Sequence, residues 1–374
     1  METFDCELKQ QIIYGDNTIE RLGELTRSLG GSRILLTTDP GIEKVGILAR
    51  ALSALQSERI AAYVYADVTS NPTTEDVEVA VEVAETNAPI DLIIGLGGGS
   101  SMDCAKGANF LLTNGGKMAD YWGTNKAAEP MLPSIGIPTT IGTGSEAQSF
   151  ALISQPETHI KMACGDKKAR FGTVILDATL TKTLPTPIAA ITAIDAIAHA
   201  VESFVSTRHN PMSRMFARHA WELLNTNFEA CLAEAQSSAA RSKMLFGAYL
   251  AGLAIENSML GAAHACANPL TARYDVIHGV AVALMLPHVI RFNSAIAGDA
   301  YHELYPDGDL ADRVTKLKQV GNLPNRLRDY PVQYTIGTAD LPTLAKEAAT
   351  QWTAQFNPRP LNISDFMKLY EQVY

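Results

Sequence analysis

The change in hydrophobic patterning at Pro185 constrains the fold of this chain more than any other feature. Before it, short apolar runs at 11–14, 33–38, 61–65, 91–96 and 134–137 alternate with stretches of helical apolar spacing at 19–29, 45–55 and 77–86. Asn71-Pro72-Thr73-Thr74-Glu75 reads as the start of the last of these helices, with acidic residues in its first turn. Strands of this kind, alternating with helices, describe a parallel sheet covered on both faces. After Leu184-Pro185-Thr186-Pro187 the strand signals nearly vanish, and helical patterns follow at 187–206, 213–235, 239–260 and 280–293. The expectation is an α/β domain over 1–184 and an all-α domain over 185–374, each long enough for its own core. The turn-rich segment 297–309 is expected to be a mobile loop.

Four residues of the helical half have the look of a ligand set for one divalent metal: Asp195, His199, His264 and His278. Asp195 and His199 are spaced i and i+4 in a helical stretch, so their side chains stand on one face, a turn apart. A continuous helix from His264 to His278 would separate them by roughly 21 Å. Pro269, Asp275 and Gly279 instead argue that the helix breaks after His264 and the chain folds back to deliver His278. One carboxylate and three imidazoles suit Fe(II), Zn(II) or another first-row divalent ion. A lone histidine on an apolar helix is more often a satisfied core or surface residue than a ligand. Asp195 tips the balance, because a carboxylate among Ile194, Ile197 and Ala198 needs a cation or a hydrogen-bond network. His159, His209, His219, His288 and His302 show no such pairing and are read as structural.

A net charge of −10 argues against a nucleic-acid or anionic-membrane partner. The one short basic run, Lys167-Lys168-Ala169-Arg170, reads as a solvated turn. No apolar stretch is expected to reach the roughly 20 residues of a membrane span, and the polar N-terminus lacks an apolar signal region, so a cytoplasmic protein is expected. Cys6, Cys104, Cys164, Cys231 and Cys266 are scattered, odd in number and form no CxxC pair, which fits reduced thiols better than disulfides or a cysteine-rich zinc site. Cys266 follows His264 by two residues, on a different helix face, and is not counted as a ligand.

Gly97-Gly98-Gly99-Ser100 directly follows an apolar run, and Ser101-Met102-Asp103-Cys104-Ala105-Lys106 then opens a helix. Strand, glycine turn and helix N-terminus together favour a bound phosphate, because backbone N–H groups and the helix dipole point at it. The spacing matches neither G-x-G-x-x-G nor a P-loop, and a tight structural turn explains a glycine triplet equally well. A second polar turn, running from Pro138 to Glu146 through Thr139, Thr140, Thr143 and Ser145, would lie beside it if both strands share a parallel sheet. Asp39 ends another strand. A carboxylate there can accept from an adenosine ribose and repel a 2′-phosphate, favouring NAD over NADP, or it can simply open an Asp-Pro-Gly turn.

These motifs together resemble the iron-containing (group III) alcohol dehydrogenases. The resemblance is carried by GGGSSMDCAK (97–106), PTTIGTGSE (138–146), the spaced set Asp177, Pro185, Thr192, Asp195, His199 and Glu202, then GAAHACANPL (261–270) and IHGVAVALMLPHVIRFN (277–293). It covers essentially the whole chain. It implies a Rossmann-like dinucleotide-binding α/β domain, a helical metal-binding domain of dehydroquinate-synthase-like architecture, and an active site in the cleft between them. It implies that Asp195, His199, His264 and His278 hold the metal. It also implies that Gly97, Gly98, Gly99, Ser100 and Asp103 line the pyrophosphate and nicotinamide of NAD, that Thr139, Thr140, Thr143 and Ser145 line the adenine and nicotinamide side, and that Asp39 meets the ribose. The implied activity is reversible, metal-assisted hydride transfer between a small alcohol and NAD, in a homodimer. Glu202 reads equally as a group that orients a ligating residue or as a surface residue one or two turns along the helix.

One position departs from the pattern. Many members of this family carry a second histidine one turn after the first ligand of that motif, where this chain has Asn268. Asparagine hydrogen-bonds but does not exchange a proton at neutral pH, so Asn268 marks either a different proton route or a substrate class distinct from simple alkanols. Two other readings compete: a polyol dehydrogenase or dehydroquinate-synthase-like lyase on the same architecture, and a metal- and nucleotide-binding protein without turnover. Phe150, Phe204, Met259 and Leu260 are candidate apolar pocket residues, with core packing as the alternative.

Overall fold

In the computed structural model, which describes residues 3–158, 160–233, 238–331 and 336–374, the first half forms strands β1 (Gln11–Tyr14), β2 (Arg33–Thr37), β3 (Ala61–Tyr65) and β4 (Leu92–Gly97), then β5 (Gly123–Thr124), β6 (Ser134–Pro138), β7 (Phe150–Ser154), β8 (Lys161–Gly165) and β9 (Thr173–Leu176). Helices α1 (Leu22–Ser28), α2 (Pro40–Lys44), α3 (Ile47–Ser57), α4 (Thr74–Thr86) and α5 (Gly99–Asn114) are interleaved among them. His159 and the end of the expected 213–235 helix lie outside the described residues. The chain divides into two compact units, Glu7–Leu184 and Pro185–Tyr374, the second including the residues up to Cys6.

Six strands pair in the order β1-β9-β6-β4-β2-β3, every neighbouring pair parallel. From β2 the chain moves to β3 on one side; from β4 it moves to β6 on the other. The order therefore reverses between β2 and β4, the kind of position where open parallel sheets bind ligands. One face packs Ile34, Leu36, Ile94, Leu96 and Ile137 against Leu22, Leu25, Ile47, Ala51 and Leu55 of α1 and α3. On the other face Gly95 and Gly136 let Phe171 and α5 come close: a Cβ on Gly136 would meet the Phe171 ring at 2.8 Å. Burial on both faces explains why β4 reads as a continuous apolar run rather than an alternating one. At α4 the expected start holds, with Thr73 and Asp76 forming a capping box worth about 1 kcal/mol.

Four strands have no counterpart in the expected set. β9 completes the main sheet, while β5, β8 and β7 form a small second sheet in which β7 and β8 are antiparallel. The runs are short, and 155–160 carries no hairpin dipeptide to signal a turn.

The second unit is helical: α6 (Thr186–Val205), α7 (Pro211–Leu232), α8 (Ser238–Glu256), α9 (Ala262–Tyr274), α10 (His278–Leu304), α11 (Leu310–Val320), α12 (Leu341–Thr350) and α13 (Ile363–Val373). Three expectations change here. Pro269 does not end α9; the helix continues to Tyr274 and stops at Asp275 in the left-handed conformation (φ 54°). The proline removes one N–H donor, a loss that packing of the buried Leu270 and Thr271 around it outweighs. The expected loop at 297–309 is helical to Leu304, because Ala297, Tyr301 and Leu304 keep an apolar stripe at helical spacing. Finally, α6 and α10 are long and apolar enough by composition to cross a membrane, but 89% of the apolar window of α6 is buried inside the protein, which accounts for its composition.

Candidate functional site

In the helical unit, α6 carries Asp195 and His199 on one face, as the i, i+4 spacing requires. α9 brings His264, and the turn at Asp275 returns the chain so that His278 opens α10. Gly279 makes that docking close: a Cβ there would sit 2.6 Å from the Ile191 carbonyl oxygen, one turn before Asp195. Asp195 Oδ1 lies 3.4 Å from His264 Nε2 and 4.0 Å from His278 Nε2, and Asp195 Oδ2 lies 3.6 Å from His199 Nε2. The His199 and His264 rings stack with centroids 5.0 Å apart. Ligand atoms of Asp195, His199 and His264 all fall within 4.8 Å of one another; His278 stands at the rim, its side chain 26% exposed.

Asp195 Oδ1 and His264 Nε2 are buried without a hydrogen-bond partner, a costly state unless something else satisfies them. Burial pushes the Asp195 carboxyl up, and the opposing pull of His199, His264 and His278 holds it well below the usual carboxylate range. Burial pushes the His264 imidazole down, but Glu202 and Asp195 raise it to about 9. The cluster thus demands a positive charge, as a proton or as a cation. The donor set and the two orphaned atoms fit a first-row divalent metal.

Glu202, which the sequence leaves undecided, is a full partner of this cluster. It is buried one turn beyond His199, accepts from His264 Nδ1 at 2.5 Å, and accepts from the Ala263 backbone N–H at 2.6 Å. The contact fixes which nitrogen of His264 faces Asp195. It also needs Gly261, where a Cβ would lie 3.1 Å from Glu202 Oε1. Asn268, one turn after His264, is half-buried and donates from Nδ2 to Gln351 Oε1 at 2.9 Å. Gln351 carries no sequence signal; only tertiary packing brings it there. Of the apolar pocket candidates in this unit, Phe204 is buried with the Arg214 guanidinium 4.2 Å above its ring, which is core packing, and Met259 is buried.

In the α/β unit, the glycine turn and Asp39 sit at the ends of β4 and β2, at the point where strand order reverses. Asp39 caps α2, accepting from Gly41 N at 2.9 Å and Ile42 N at 3.2 Å, and also accepts from Ser101 Oγ at 3.2 Å. The turn reading of Asp39 therefore holds. Gly97 is left-handed (φ 148°), and a Cβ there would strike Ser101 Oγ at 2.4 Å. The second polar turn lies alongside, as parallel β4–β6 pairing demands: Thr139 N donates to Gly97 O at 2.9 Å, and Cβ atoms on Gly98 and Gly99 would touch Thr140 and Thr143 at 3.3 and 3.2 Å. The Thr140 and Thr143 hydroxyls are buried without a hydrogen-bond partner. Bare backbone facing two unsatisfied hydroxyls at a helix N-terminus fits the phosphates of a dinucleotide. Ser100 Oγ accepts from Asn71 N at 3.2 Å.

Asp103 and Ser145 belong to a buried network behind this cradle. Ser145 Oγ donates to Asp103 Oδ1 at 2.5 Å, and Lys106 Nζ donates to Ser145 O at 2.7 Å, Ser145 Oγ at 2.9 Å and Phe150 O at 2.7 Å. Asp103 and Lys106 at i, i+3 on an apolar helix were the available signal for this network. Glu146 is buried beside it, and burial, opposed by its own backbone N–H and by Lys106, pushes its carboxyl up to about 7.

The profile described as iron-containing alcohol dehydrogenase matches residues 9–178, and that of the C-terminal part of the Fe-containing alcohol dehydrogenase family matches 189–374. The chain is 35% identical to alcohol dehydrogenase 4 of Schizosaccharomyces pombe, over 92% of this chain and 83% of that protein. It is 31% identical to the 1,3-propanediol dehydrogenase of Citrobacter freundii, over 99% of both. Among solved structures, a 1,3-propanediol oxidoreductase superposes with a TM-score of 0.95 at 29% identity over the whole of both chains, and the sulfoacetaldehyde reductase of Bifidobacterium kashiwanohense, in complex with NAD+, with 0.89 at 25% over 100% and 99%. With its folding pattern, its carboxylate–imidazole cluster and both halves of the family matched, this chain belongs to the iron-containing alcohol dehydrogenases and is a metal-dependent oxidoreductase.

Proposed function

We propose that the protein interconverts a small primary alcohol and its aldehyde with NAD, with Asp195, His199, His264 and His278 as the metal ligands of the helical domain 185–374. The observation that carries the reading is the facing pair of buried, partnerless atoms, Asp195 Oδ1 and His264 Nε2, within a four-ligand cluster. Iron(II), or zinc in its place, would supply Lewis-acid polarisation of the alcohol or carbonyl oxygen. Glu202 holds His264 in the tautomer that points Nε2 inward. Asp195 brings the negative charge that offsets a bound cation, and the burial of Asp195, His199 and His264 keeps water from three of the four ligands.

The α/β domain, 1–184, would bind NAD. Gly97, Gly98, Gly99 and Ser100 offer backbone to the pyrophosphate, Thr139, Thr140 and Thr143 offer hydroxyls alongside, and Asp39 at the end of β2 can take the ribose with Oδ2, which has acceptor capacity beyond its bond from Ser101 Oγ. Asp103 and Ser145 act through the buried Lys106 network that fixes both turns. A homodimer is supported by the edge strand β1, where Ile12 and Tyr14 remain 40% and 47% exposed. A cytoplasmic setting is supported by the five cysteines, which form no disulfide among the described residues.

The test is NADH oxidation by metal-stripped protein reconstituted with Fe(II) or Zn(II), across a panel of aldehydes, with Asp195→Ala and His264→Ala as controls. Turnover that requires metal and vanishes in the controls supports the reading. Metal and NADH binding without turnover of any aldehyde would favour a binding protein instead.

A further inference from the structure

We propose that the short segment 356–359 is a clasp that holds the three ligand-bearing helices α6, α9 and α10 in register, and that Asn357 at its centre is a positioning residue for His264. The inference rests on the reading that the Asp195 cluster holds a metal. Asp195 and His199 come from α6, His264 from α9 and His278 from α10, so the geometry of the cluster is only as exact as the spacing of those helices. The segment bonds to all three chain regions. Phe356 O accepts from Thr207 N at 2.8 Å, two residues beyond the end of α6. Asn357 Oδ1 accepts from Ala262 N at 3.2 Å, in the first turn of α9. The Arg359 guanidinium donates to Phe292 O on α10 at 2.8 Å and lies 3.9 Å from the centre of the Phe292 ring.

The bonding of Asn357 requires an amide. It pairs reciprocally with Asn293 on α10: Asn357 Nδ2 donates to Asn293 Oδ1 at 2.7 Å, and Asn293 Nδ2 donates to Asn357 Oδ1 at 3.0 Å. Asn357 Nδ2 also donates to Arg359 O at 2.7 Å, and Asn293 Nδ2 to the Tyr301 hydroxyl at 3.3 Å. Both N–H groups and both acceptor positions of the Asn357 amide are therefore used, which fixes the end that faces α9. Both asparagines are buried, where a bond left unmade is costly. The N-cap residue of α9 is Gly261, which has no side chain to cap with, so its first N–H groups are taken from elsewhere, Ala262 N by Asn357 and Ala263 N by Glu202. A Cβ on Gly261 would lie 3.0 Å from Asn357 Oδ1 and 3.1 Å from Glu202 Oε1, so both oxygens close on the same turn. Glu202 orients the His264 ring, and Asn357 holds the backbone two residues before it.

The experiment measures zinc affinity, by competition with a chelator, and the visible absorption of the cobalt(II)-loaded protein, whose bands report ligand geometry, in wild type, Asn357→Leu, Asn357→Asp and Arg359→Met. Leu317→Ala removes buried volume from α11, which supplies none of the four ligands, and controls for lowered stability alone. Asn357→Leu should bind zinc about tenfold more weakly and shift the cobalt bands, because His264 moves with the freed turn. Asn357→Asp keeps an acceptor for Ala262 N but sets a second oxygen against Asn293 Oδ1 and Arg359 O; it should also lose affinity, and it carries the test if Asn357→Leu does not fold. Arg359→Met should weaken zinc binding through α10. Unaltered affinity and cobalt bands in the Asn357 variants or in Arg359→Met, or changes no larger than those in Leu317→Ala, would overturn the proposal. If wild type binds neither zinc nor cobalt, the metal reading fails instead. The clasp is then decided by crystal structures of the metal-free Asn357 variants: a displacement of residues 261–264 relative to α6 supports it, and an unmoved turn overturns it.

Discussion

Replacing Glu202 tests how the cluster around Asp195 is assembled. Its carboxylate takes two bonds from buried donors, 2.6 Å from Ala263 N and 2.5 Å from His264 Nδ1, and is itself buried. In Glu202→Ala both donors lose their partner inside the protein, at about 1–3 kcal/mol each, so an upper bound of about 6 kcal/mol of stability is at stake. Part of that cost falls on metal binding, because His264 is then free to turn its other nitrogen toward Asp195; loss of such an orienting partner lowers metal affinity about 10- to 100-fold. Glu202→Gln keeps the shape and one acceptor but sets an NH2 against the remaining donor, and should lie between. Zinc affinity by competition with a chromophoric chelator, with urea unfolding of the metal-free protein in parallel, separates the two effects. A folded Glu202→Ala protein that binds zinc within about threefold of wild type would refute the argument, because the ring would then be oriented by packing alone.

Gly279→Ala drives a Cβ toward the Ile191 carbonyl at 2.6 Å; a stability loss of about 1–3 kcal/mol is expected, together with weaker zinc binding as His278 moves off α6, both measured on the same preparation. Gly98→Val and Gly99→Val fill the space against Thr140 and Thr143 and should reduce NADH affinity at least tenfold in a fluorescence titration while zinc content stays at the wild-type level. Glu146 gives a pH signature: its carboxyl is raised from 4.5 to about 7, so the folded state holds a proton that the unfolded chain releases. The group costs nothing below about pH 4.5, its penalty grows as pH rises, and above about pH 7 it is complete, at most about 3 kcal/mol. Glu146→Gln should therefore gain stability relative to wild type above pH 7 and not at pH 4.5, as read from urea midpoints; a pH-independent difference would show that the group does not titrate in that window.

The sequence by itself determined the elements and the chemistry that depends on local spacing. Apolar runs of strand length named five strands of the parallel sheet, since a strand buried on both faces must be apolar throughout. The i, i+4 step placed Asp195 beside His199, and the segment Asn71 to Glu75, with its acidic first turn, marked the start of α4. The two strands whose ends carry Asp39 and Gly97 could be named, but not their adjacency at the point of reversal, which is a matter of strand order. The break that returns His278 was foreseen from Pro269, Asp275 and Gly279 together, but the helix runs through Pro269 and ends only at Asp275, because a proline's local cost is visible in sequence while the packing that outweighs it is not. Glu202 and Gln351 show the same limit. One reaches across 61 residues to Ala263 and the other across 83 to Asn268, and contacts at that separation exist only once hydrophobic burial has fixed which helices touch. Tertiary structure alone decided which carboxylate orients His264 and which amide meets Asn268.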